Sequence, residues 1–306
     1  MKKVEVQAEV EEDEKSLLSL SLNLNLPYGI IHLMSQQATD QLPDRSTRER
    51  IRTVAVDAAR QAGAILNEYA KNGFRVEHKA ALNLVTDADT HSEQAIVDAI
   101  GRTFPDHEIL AEERGRAGST SPYKWIIDPL DGTTNFAHGF PAYAVSIGVE
   151  YQGRCILGVV FDPTRQELFV AEAGGGATLN GKPIHVSHTP KLDGALLVTG
   201  FAYDIRVSKQ NNLDHFANFA LRAQGMRRMG AAAIDLCSVA CGRFDGFWEL
   251  KLNPWDTAAG SLMVTEADGH MSDFKGGPFS IYGLELVASN HHIHNEMVEV
   301  LNRPSV

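Results

Sequence analysis

The hydrophobic positions of this chain repeat first with the period of a helix. From Arg48 onward, apolar residues recur at spacings of three and four, which predicts an amphipathic helix that ends near Asn72-Gly73. A short strand, Phe74–Val76, is predicted to follow it. A second helical pattern covers "THSEQAIVDAIGRTF", and Asp89 or Thr90 is its predicted N-cap.

The middle of the chain changes to short β-rich runs. "HEILAEE" predicts a strand that runs into Glu112, and "WIID" predicts another that ends at Asp128. "AYAVSIGVEY", "CILGVVFDP" and "ELFVAEA" predict an antiparallel meander, and Asn180-Gly181 indicates a further hairpin. The second half alternates strands and helices from "GALLVTGF" to "LELVASN", which indicates an α/β arrangement with covered strands.

The first 46 residues have a different pattern. "EVEEDE" is a charge run, and "SLSLNLNL" alternates polar and apolar residues, as in a strand or a peptide that adds to a sheet edge. We expect a poorly ordered extension over residues 1–46, with Met34 as a candidate start of the functional protein. Residues 47–306 are predicted to form the main domain, with lobes at about 47–190 and 191–306.

The composition is that of an ordinary globular protein. The chain has 306 residues, 43% of them apolar, and a net charge of −11 from 28 basic and 39 acidic residues. This charge argues against nucleic acid or an anionic membrane as the main partner. Three cysteines, and no uninterrupted apolar span or signal peptide, favour a cytoplasmic protein with reduced thiols.

Five acidic residues stand at the ends of predicted elements. They are Asp89, Glu112, Asp128, Asp131 and Asp256. Carboxylate oxygens on rigid element ends are the hard ligands that Mg²⁺ requires. Taken singly, each has a simpler interpretation: an aspartate before proline or glycine forms turns, Asp256 can cap a helix, and Glu112 can be a surface acid.

The sequence segments around these acids resemble those of a known protein family. "WIIDPLDGTTNFAHGFPAYAVSIG" and "NPWDTAAGSLMVTEADGHMSDF" resemble the two signature motifs of the inositol monophosphatase family, and "NLVTDAD" and "ILAEE" resemble its upstream acidic motifs. "VVFDPTRQELFVAEAGGGATLNGKPI" and "MGAAAIDLCSVACGRFDGFWEL" resemble its intervening segments. The resemblance covers about residues 48–300 and leaves the first 46 residues unmatched.

The resemblance implies a fold and a metal-dependent chemistry. The fold is α/β (α+β), a five-layered αβαβα sandwich of the sugar phosphatase type, usually homodimeric. Position by position, it implies that Glu112, Asp128 and the Leu130 carbonyl hold one Mg²⁺. Asp128, Asp131 and Asp256 would hold a second, and a third, weaker ion is implied near Glu112.

The resemblance also implies catalytic and phosphate-binding residues. Asp89 and Thr133 match the pair that polarises the attacking water, beside Glu112. Gly132 and Thr133 match the backbone positions that receive the phosphate, at the start of a short predicted helix where an anion is favoured.

The residues that resemble the substrate-binding positions of the family lie in three segments. They are Asp131 with Gly132 and Thr133, Gly230 with Ala231 and Ala232, and Glu249 with Asp256. Ala231 stands where the family often has a hydroxyl residue, so one side-chain contact is missing here. Asn83, where the family often has an aspartate, and Lys79 are given no role.

The favoured hypothesis is hydrolysis of a small phosphorylated polyol or sugar, myo-inositol 1-phosphate first, by metal-activated water. Within the superfamily, the alternatives are a fructose-1,6-bisphosphatase, a histidinol-phosphate phosphatase or a nucleotide 3′-phosphatase. Outside enzymes, the alternative is a regulatory binding protein that keeps the fold. The complete set of metal-ligating residues argues against an inactive enzyme but leaves a second role open.

Overall fold

The computed structural model describes residues 42–78, 84–118 and 120–304. The predictions for residues 1–41 therefore lie outside the described residues, as do Lys79 and Asn83. Residues from Asp44 onward form one compact unit. Within the described ranges, no helix is both long and apolar enough to cross a membrane.

The first predicted helix is confirmed as α1 (Arg45–Asn72). The Asp44 carboxylate accepts a hydrogen bond from the Thr47 backbone at 3.0 Å and caps the helix. The helix therefore starts inside the predicted extension, two residues before residue 47, where the main domain was expected to begin. Its buried stripe consists of Ile51, Ala55, Ala58, Ala59, Ala62, Gly63 and Leu66.

The second helix, α2 (Asp87–Thr103), begins earlier than predicted. Neither Asp89 nor Thr90 is its N-cap; Thr86 is, and its hydroxyl accepts from the Ala88 backbone at 3.1 Å. The Asp89 carboxylate accepts in return from the Thr86 backbone at 2.7 Å, which completes a capping box. The strand predicted at Phe74–Val76 also lies later, because β1 (Val76–His78) pairs with β2 (Leu84–Thr86).

A large sheet of eight strands forms the first half of the fold. Its order is β10-β9-β8-β7-β6-β5-β3-β4. The run from β6 to β8 is the predicted antiparallel meander, and β9 with β10 is the hairpin indicated by Asn180-Gly181. Its strands are β3 (Glu108–Ala111), β4 (Gly115–Ala117), β5 (Tyr123–Asp131), β6 (Ala144–Tyr151), β7 (Arg154–Asp162), β8 (Glu167–Glu172), β9 (Gly176–Leu179) and β10 (Lys182–Pro183).

A second sheet of five strands follows in the order β12-β11-β13-β15-β14. Its strands are β11 (Leu196–Thr199), β12 (Gly225–Arg227), β13 (Gly246–Leu250), β14 (His270–Ser272) and β15 (Glu285–Ser289). The remaining helices are α3 (Thr133–Ala137), α4 (Leu213–Ala220), α5 (Ala232–Ala240), α6 (Pro254–Glu266) and α7 (His294–Leu301), with a 3₁₀ turn at Leu192–Gly194.

The elements stack in five layers, as predicted. Helices α1 and α2 pack on the outer face of the large sheet, and α5 and α6 lie between the two sheets. Helices α4 and α7 cover the far face of the small sheet, over a core that contains Trp248, Phe219 and Met297. This is the predicted αβαβα sandwich, since amphipathic helices and sheets bury their apolar faces against each other.

The central helix α6 approaches the large sheet at two glycines. A Cβ atom on Gly158 of β7 would lie 2.5 Å from the Ala259 carbonyl oxygen, and one on Gly148 of β6 would lie 2.7 Å from the Ala258 Cβ. Only strands without side chains at these positions let the helix backbone come so close.

Replacing Gly158 with alanine is expected to lower the free energy of unfolding by about 1–3 kcal/mol, because the added methyl overpacks the contact with α6. Urea unfolding checks this. Gly101→Ala in α2 is the matched control: its added Cβ meets no atom within 4 Å, so stability should stay the same or rise by up to about 1 kcal/mol. Equal stability of the two variants would contradict the close contact.

Candidate metal and phosphate site

The end of β5 carries the two central carboxylates of the predicted site. The sequence predicted that this strand ends at Asp128, but it continues to Asp131, with a register shift between these two residues. This irregularity allows Pro129 in a buried strand. Asp128 and Asp131 are only 2% and 7% exposed, and Asp128 Oδ1 accepts from the Leu130 backbone at 2.9 Å.

Asp131 connects the large sheet to helix α5. Its two carboxylate oxygens accept from the backbone of Ala232 at 3.1 Å and of Ala233 at 2.8 Å. Helix α5 has no capping side chain of its own at Ala231. Asp131 therefore caps this helix from 101 residues away in sequence.

The predicted pair Asp89 and Thr133 is in contact. The Thr133 hydroxyl is within hydrogen-bond distance of Asp89 Oδ1 at 3.1 Å and of the Leu130 carbonyl oxygen at 3.0 Å. Asp89 is fully buried at the start of α2, and its other oxygen accepts from Thr86. The capping box of α2 thus holds one Asp89 oxygen and leaves the other facing Thr133.

Glu112 and Asp256 approach from two further elements. Glu112 follows β3 directly, and its backbone donates to the Ile127 carbonyl at 3.1 Å, next to Asp128. Asp256 is the third residue of α6, and its carboxylate accepts from the Asn253 backbone at 2.7 Å. The single-residue interpretation of Asp256 as an N-cap is wrong, because Asn253 is the cap.

These acids raise one another's pKa values. Burial raises the pKa of Asp128 well above its ordinary range, and the charges of Glu112, Asp131 and Asp256 add to the rise. Burial raises the pKa of Asp131 to about 7 and of the partly buried Asp256 to about 8, again with Glu112 contributing. Burial also raises the pKa of Asp89 to about 6.

The chemistry of this group fits divalent cations. It combines hard oxygen donors with an excess of negative charge that a cation would relieve. Glu112, Asp128, the Leu130 carbonyl, Asp131 and Asp256 are the atoms available to Mg²⁺. Within the described ranges, no three His, Cys, Asp or Glu residues converge as a ready ligand set for one ion. Each acid is held instead by the contacts given above.

A cavity of about 120 Å³ opens beside these acids. Seven of the predicted site residues line it: Asp131, Gly132, Gly230, Ala231, Ala232, Glu249 and Asp256. The remaining ones, Asp89, Glu112, Asp128, Leu130 and Thr133, are not among the lining residues. The cavity wall therefore contains seven of the predicted site residues, and the other five lie outside its lining.

Gly132 is required at its position. It adopts φ 90° as the N-cap of α3, a left-handed conformation that favours glycine. A Cβ there would lie 2.8 Å from the Ala142 carbonyl oxygen and 3.2 Å from the Ala231 Cβ. The absence of a side chain lets the β5–α3 turn pack against the start of α5.

Glu249 lies at the cavity wall, against a glycine that the sequence prediction missed. Strands β11 and β13 are parallel, with Thr199 opposite Trp248, so the next residues, Gly200 and Glu249, are adjacent. A Cβ on Gly200 would overlap the Glu249 carboxylate. Burial raises the pKa of Glu249 to about 8, although Arg228 opposes the rise.

Further lining residues were missed in the sequence, among them Arg228, Tyr203, Lys251 and Asn253. Three of these four follow the ends of β11 and β13. The carboxyl ends of parallel strands meet at one sheet edge, and this was the signal that could have found them.

The profile of the inositol monophosphatase family matches residues 47–303. This chain belongs to the inositol monophosphatase family. It is 48% identical over 250 residues to an inositol-1-monophosphatase of Synechocystis sp., an alignment that covers 81% of this chain and 87% of the relative. It is 46% identical over 246 residues to the Nus factor SuhB of Pseudomonas aeruginosa, covering 78% and 90% respectively.

Solved structures of the family have the same fold. An inositol monophosphatase from Anabaena (Nostoc) sp. superposes with a TM-score of 0.78 at 42% identity, over 85% of this chain and 98% of that one. An IMPase/NADP phosphatase complexed with Mg²⁺ and phosphate gives 0.75 at 25% identity, over 84% and 97%. The family resemblance and the sandwich fold predicted from the sequence are thereby confirmed.

The metal-free protein is expected to lose stability as the pH rises from 7 to 9. Asp131, Asp256 and Glu249 have folded-state pKa values of about 7 to 8, whereas unfolded carboxyls titrate near 4. The folded state therefore holds extra protons, which are lost in this window, and the decrease should be on the order of 2 kcal/mol. Calorimetry in EDTA measures it.

One buried group has the opposite effect on stability, but it acts below this pH range. His294 is buried with its pKa lowered to about 4, so it favours folding as the pH rises towards 6.5 and contributes little above 7. Asp256→Asn should reduce the slope, and Mg²⁺ should raise Tm more at pH 9 than at pH 7. A metal-free Tm that rises between pH 7 and 9 would rule out this arrangement of charges.

Proposed function

We propose that this chain hydrolyses a small phosphorylated polyol, myo-inositol 1-phosphate first, with Mg²⁺ as cofactor. The observation that carries the proposal is the group of mutually repelling acids beside a cavity that also contains Glu249 and the Gly132 turn. Membership of the inositol monophosphatase family supports a phosphatase, and a solved relative was complexed with Mg²⁺ and phosphate.

The acids would hold the metal ions from three elements. Glu112, Asp128 and the Leu130 carbonyl would hold one ion; Asp128, Asp131 and Asp256 would hold a second. When bound, Mg²⁺ supplies positive charge that offsets the phosphate's own charge and lowers the pKa of water. The carboxylates supply rigid positions, because each is held by backbone hydrogen bonds or follows a strand.

Asp89 and Thr133 would move the proton of the attacking water. With a pKa of about 6, Asp89 is mostly ionised at neutral pH and can accept a proton. The Thr133 hydroxyl donates towards Asp89, which leaves its oxygen lone pairs free to accept from a water molecule. This is a short relay from water to a buried carboxylate.

The turn at Gly132 would receive the phosphate. The first backbone N–H groups of α3 lie next to Asp131, where an anion is favoured at a helix start. The N-terminus of α5 contributes less to the phosphate here, because Asp131 already accepts from Ala232 and Ala233.

Glu249 would select the organic part of the substrate. Because its pKa is about 8, Glu249 is largely protonated at neutral pH and can both donate and accept a hydrogen bond. A polyol hydroxyl has the same dual character. A small cavity with a neutral, two-way partner favours a polyol monoester over a nucleotide.

A second role beside catalysis is also proposed. Relatives named Nus factor SuhB are as similar to this chain as relatives named for phosphatase activity. A partner would dock on residues 1–46, which lie outside the family match. A deletion of these residues that lost a partner but kept turnover would separate the two roles.

Homodimerisation and a cytoplasmic location likewise stay proposals.

The purified protein is expected to release phosphate from myo-inositol 1-phosphate faster than from fructose 1,6-bisphosphate, histidinol phosphate or adenosine 3′,5′-bisphosphate, and only with Mg²⁺. Asp131→Asn should abolish turnover, because it removes one ligand charge, while one oxygen remains to cap α5. Asp98→Asn, an exposed acid of α2, is the control and should keep full turnover. Near-normal turnover of Asp131→Asn at saturating Mg²⁺ would refute the ligand role.

Gly200→Ala is expected to raise KM for myo-inositol 1-phosphate at least tenfold, because the methyl displaces the Glu249 carboxylate. Gly194→Ala, whose added Cβ has its nearest neighbour at 3.8 Å, serves as the control. Steady-state kinetics on both variants test this. A Gly200→Ala enzyme with wild-type KM would show that Glu249 does not touch the substrate.

A further inference from the structure

The segment from Gly200 to Asn212 connects β11 to α4 and forms one wall of the cavity. It was not part of any sequence motif, yet Gly200, Phe201, Ala202 and Tyr203 line the cavity. The segment contains no helix or strand. Backbone hydrogen bonds shape its turns, such as that from Ile205 to the Ala202 carbonyl at 3.1 Å, and side-chain contacts hold it against the small sheet.

Asn212 holds both ends of the segment to the small sheet. Its amide donates to the Gly200 carbonyl at 2.7 Å and to the Thr199 hydroxyl at 2.9 Å. Its amide oxygen accepts from the indole of the buried Trp248 at 2.8 Å. Asn212 is 3% exposed, so these bonds are protected from water and fix the segment at its base.

Lys251 holds the middle of the segment. Its ammonium donates to Asp204 Oδ2 at 2.6 Å and to the Ser208 hydroxyl at 2.8 Å. Lys251 is two residues after Glu249 and has φ 63°, an uncommon conformation for lysine that lies just beyond β13. The wall that carries Glu249 and the segment that carries Tyr203 are thus joined.

Tyr203 lies between these two anchors. Its hydroxyl has no hydrogen-bond partner among the residues that the structure describes, although half of the side chain is covered. Burial raises the pKa of this phenol, and the charges of Glu112, Asp128, Asp131 and Asp256 raise it further. The phenol therefore stays protonated and can donate a hydrogen bond within the cavity that it lines together with Asp131 and Asp256.

We propose that the Tyr203 hydroxyl donates a hydrogen bond to a non-bridging oxygen of the phosphoryl group bound beside Asp131 and Gly132. This inference rests on the proposed function, since it requires a phosphate ester in the cavity. A protonated phenol donates a hydrogen bond and therefore needs an acceptor. An anion that binds together with Mg²⁺ would supply this acceptor. Tyr203 lines the same small cavity as Asp131, Gly132 and Asp256, and the charges that act on its phenol are those of the metal end, which together favour the phosphoryl group over the polyol.

The experiment is calorimetric titration of inorganic phosphate into the full-length protein with Mg²⁺, combined with steady-state kinetics. Tyr203→Phe keeps the ring and removes the donor, so phosphate affinity should fall about tenfold, as for a hydrogen bond to a charged group. KM for the ester and Ki for phosphate should rise by the same factor. Tyr282→Phe is the matched control: Tyr282 is also 51% exposed but bonds Lys124 and Glu150 away from this cavity.

A second variant tests the anchor. Lys251→Met releases Asp204 and should also weaken phosphate binding severalfold. On that background, Tyr203→Phe should cause little further loss, because the phenol is no longer held in place. Full additivity of the two changes would contradict the proposed positioning.

Each remaining outcome has a distinct meaning. Unchanged phosphate affinity in Tyr203→Phe overturns the inference and leaves the proposed function standing. A raised ester KM with unchanged phosphate affinity assigns the phenol to the polyol, which also overturns it. A wild-type protein that neither binds phosphate nor releases it with Mg²⁺ refutes the proposed function, and the inference with it.

Discussion

The rest of the site depends on the burial of several like charges at one point. Asp128, Asp131 and Asp256 approach one another from β5 and α6, with Glu112 at the end of β3. Without compensation, such a group would favour unfolding or protonation. The fold compensates in part with backbone N–H groups, and above all with those of α5 that bind Asp131. The unfavourable remainder is what a divalent cation can relieve.

Close backbone approach gives these charges their positions. Gly158 and Gly148 admit α6 to the large sheet, and α6 carries Asp256 at its first turn. Gly132 admits α5 to the end of β5. The central helices can therefore take their positions because glycines leave room for them, whereas the acids near the helix starts would bind the metal ions. A residue that only creates space can in this way be as necessary to the site as a ligand.

The sequence predicted local features well and long-range register poorly. The stripe of α1 and the acidic motifs were readable because both depend on neighbours within a few residues. The cap of α2 was missed because Thr86 and Asp89 act reciprocally, and a single-residue rule names only one partner. Gly200 and Tyr203 were missed because their meaning arises from the parallel pairing of β11 with β13, two strands separated by 46 residues of intervening sequence.

The two ends of the cavity differ in charge, and this reconciles an acidic chain with the anionic substrate proposed for it. At one end, mutually repelling carboxylates favour the binding of divalent cations, which would in turn attract a phosphate group. At the other end, Glu249 is largely neutral at pH 7, chiefly because burial raises its pKa; the charges of Asp256 and Asp131 add to the rise and Arg228 opposes it. Burial is also the largest cause of the raised pKa values of Asp128, Asp131 and Asp256. The end of the cavity that would bind the metal and the end that would bind the polyol therefore share one physical cause, the transfer of carboxyl groups out of water.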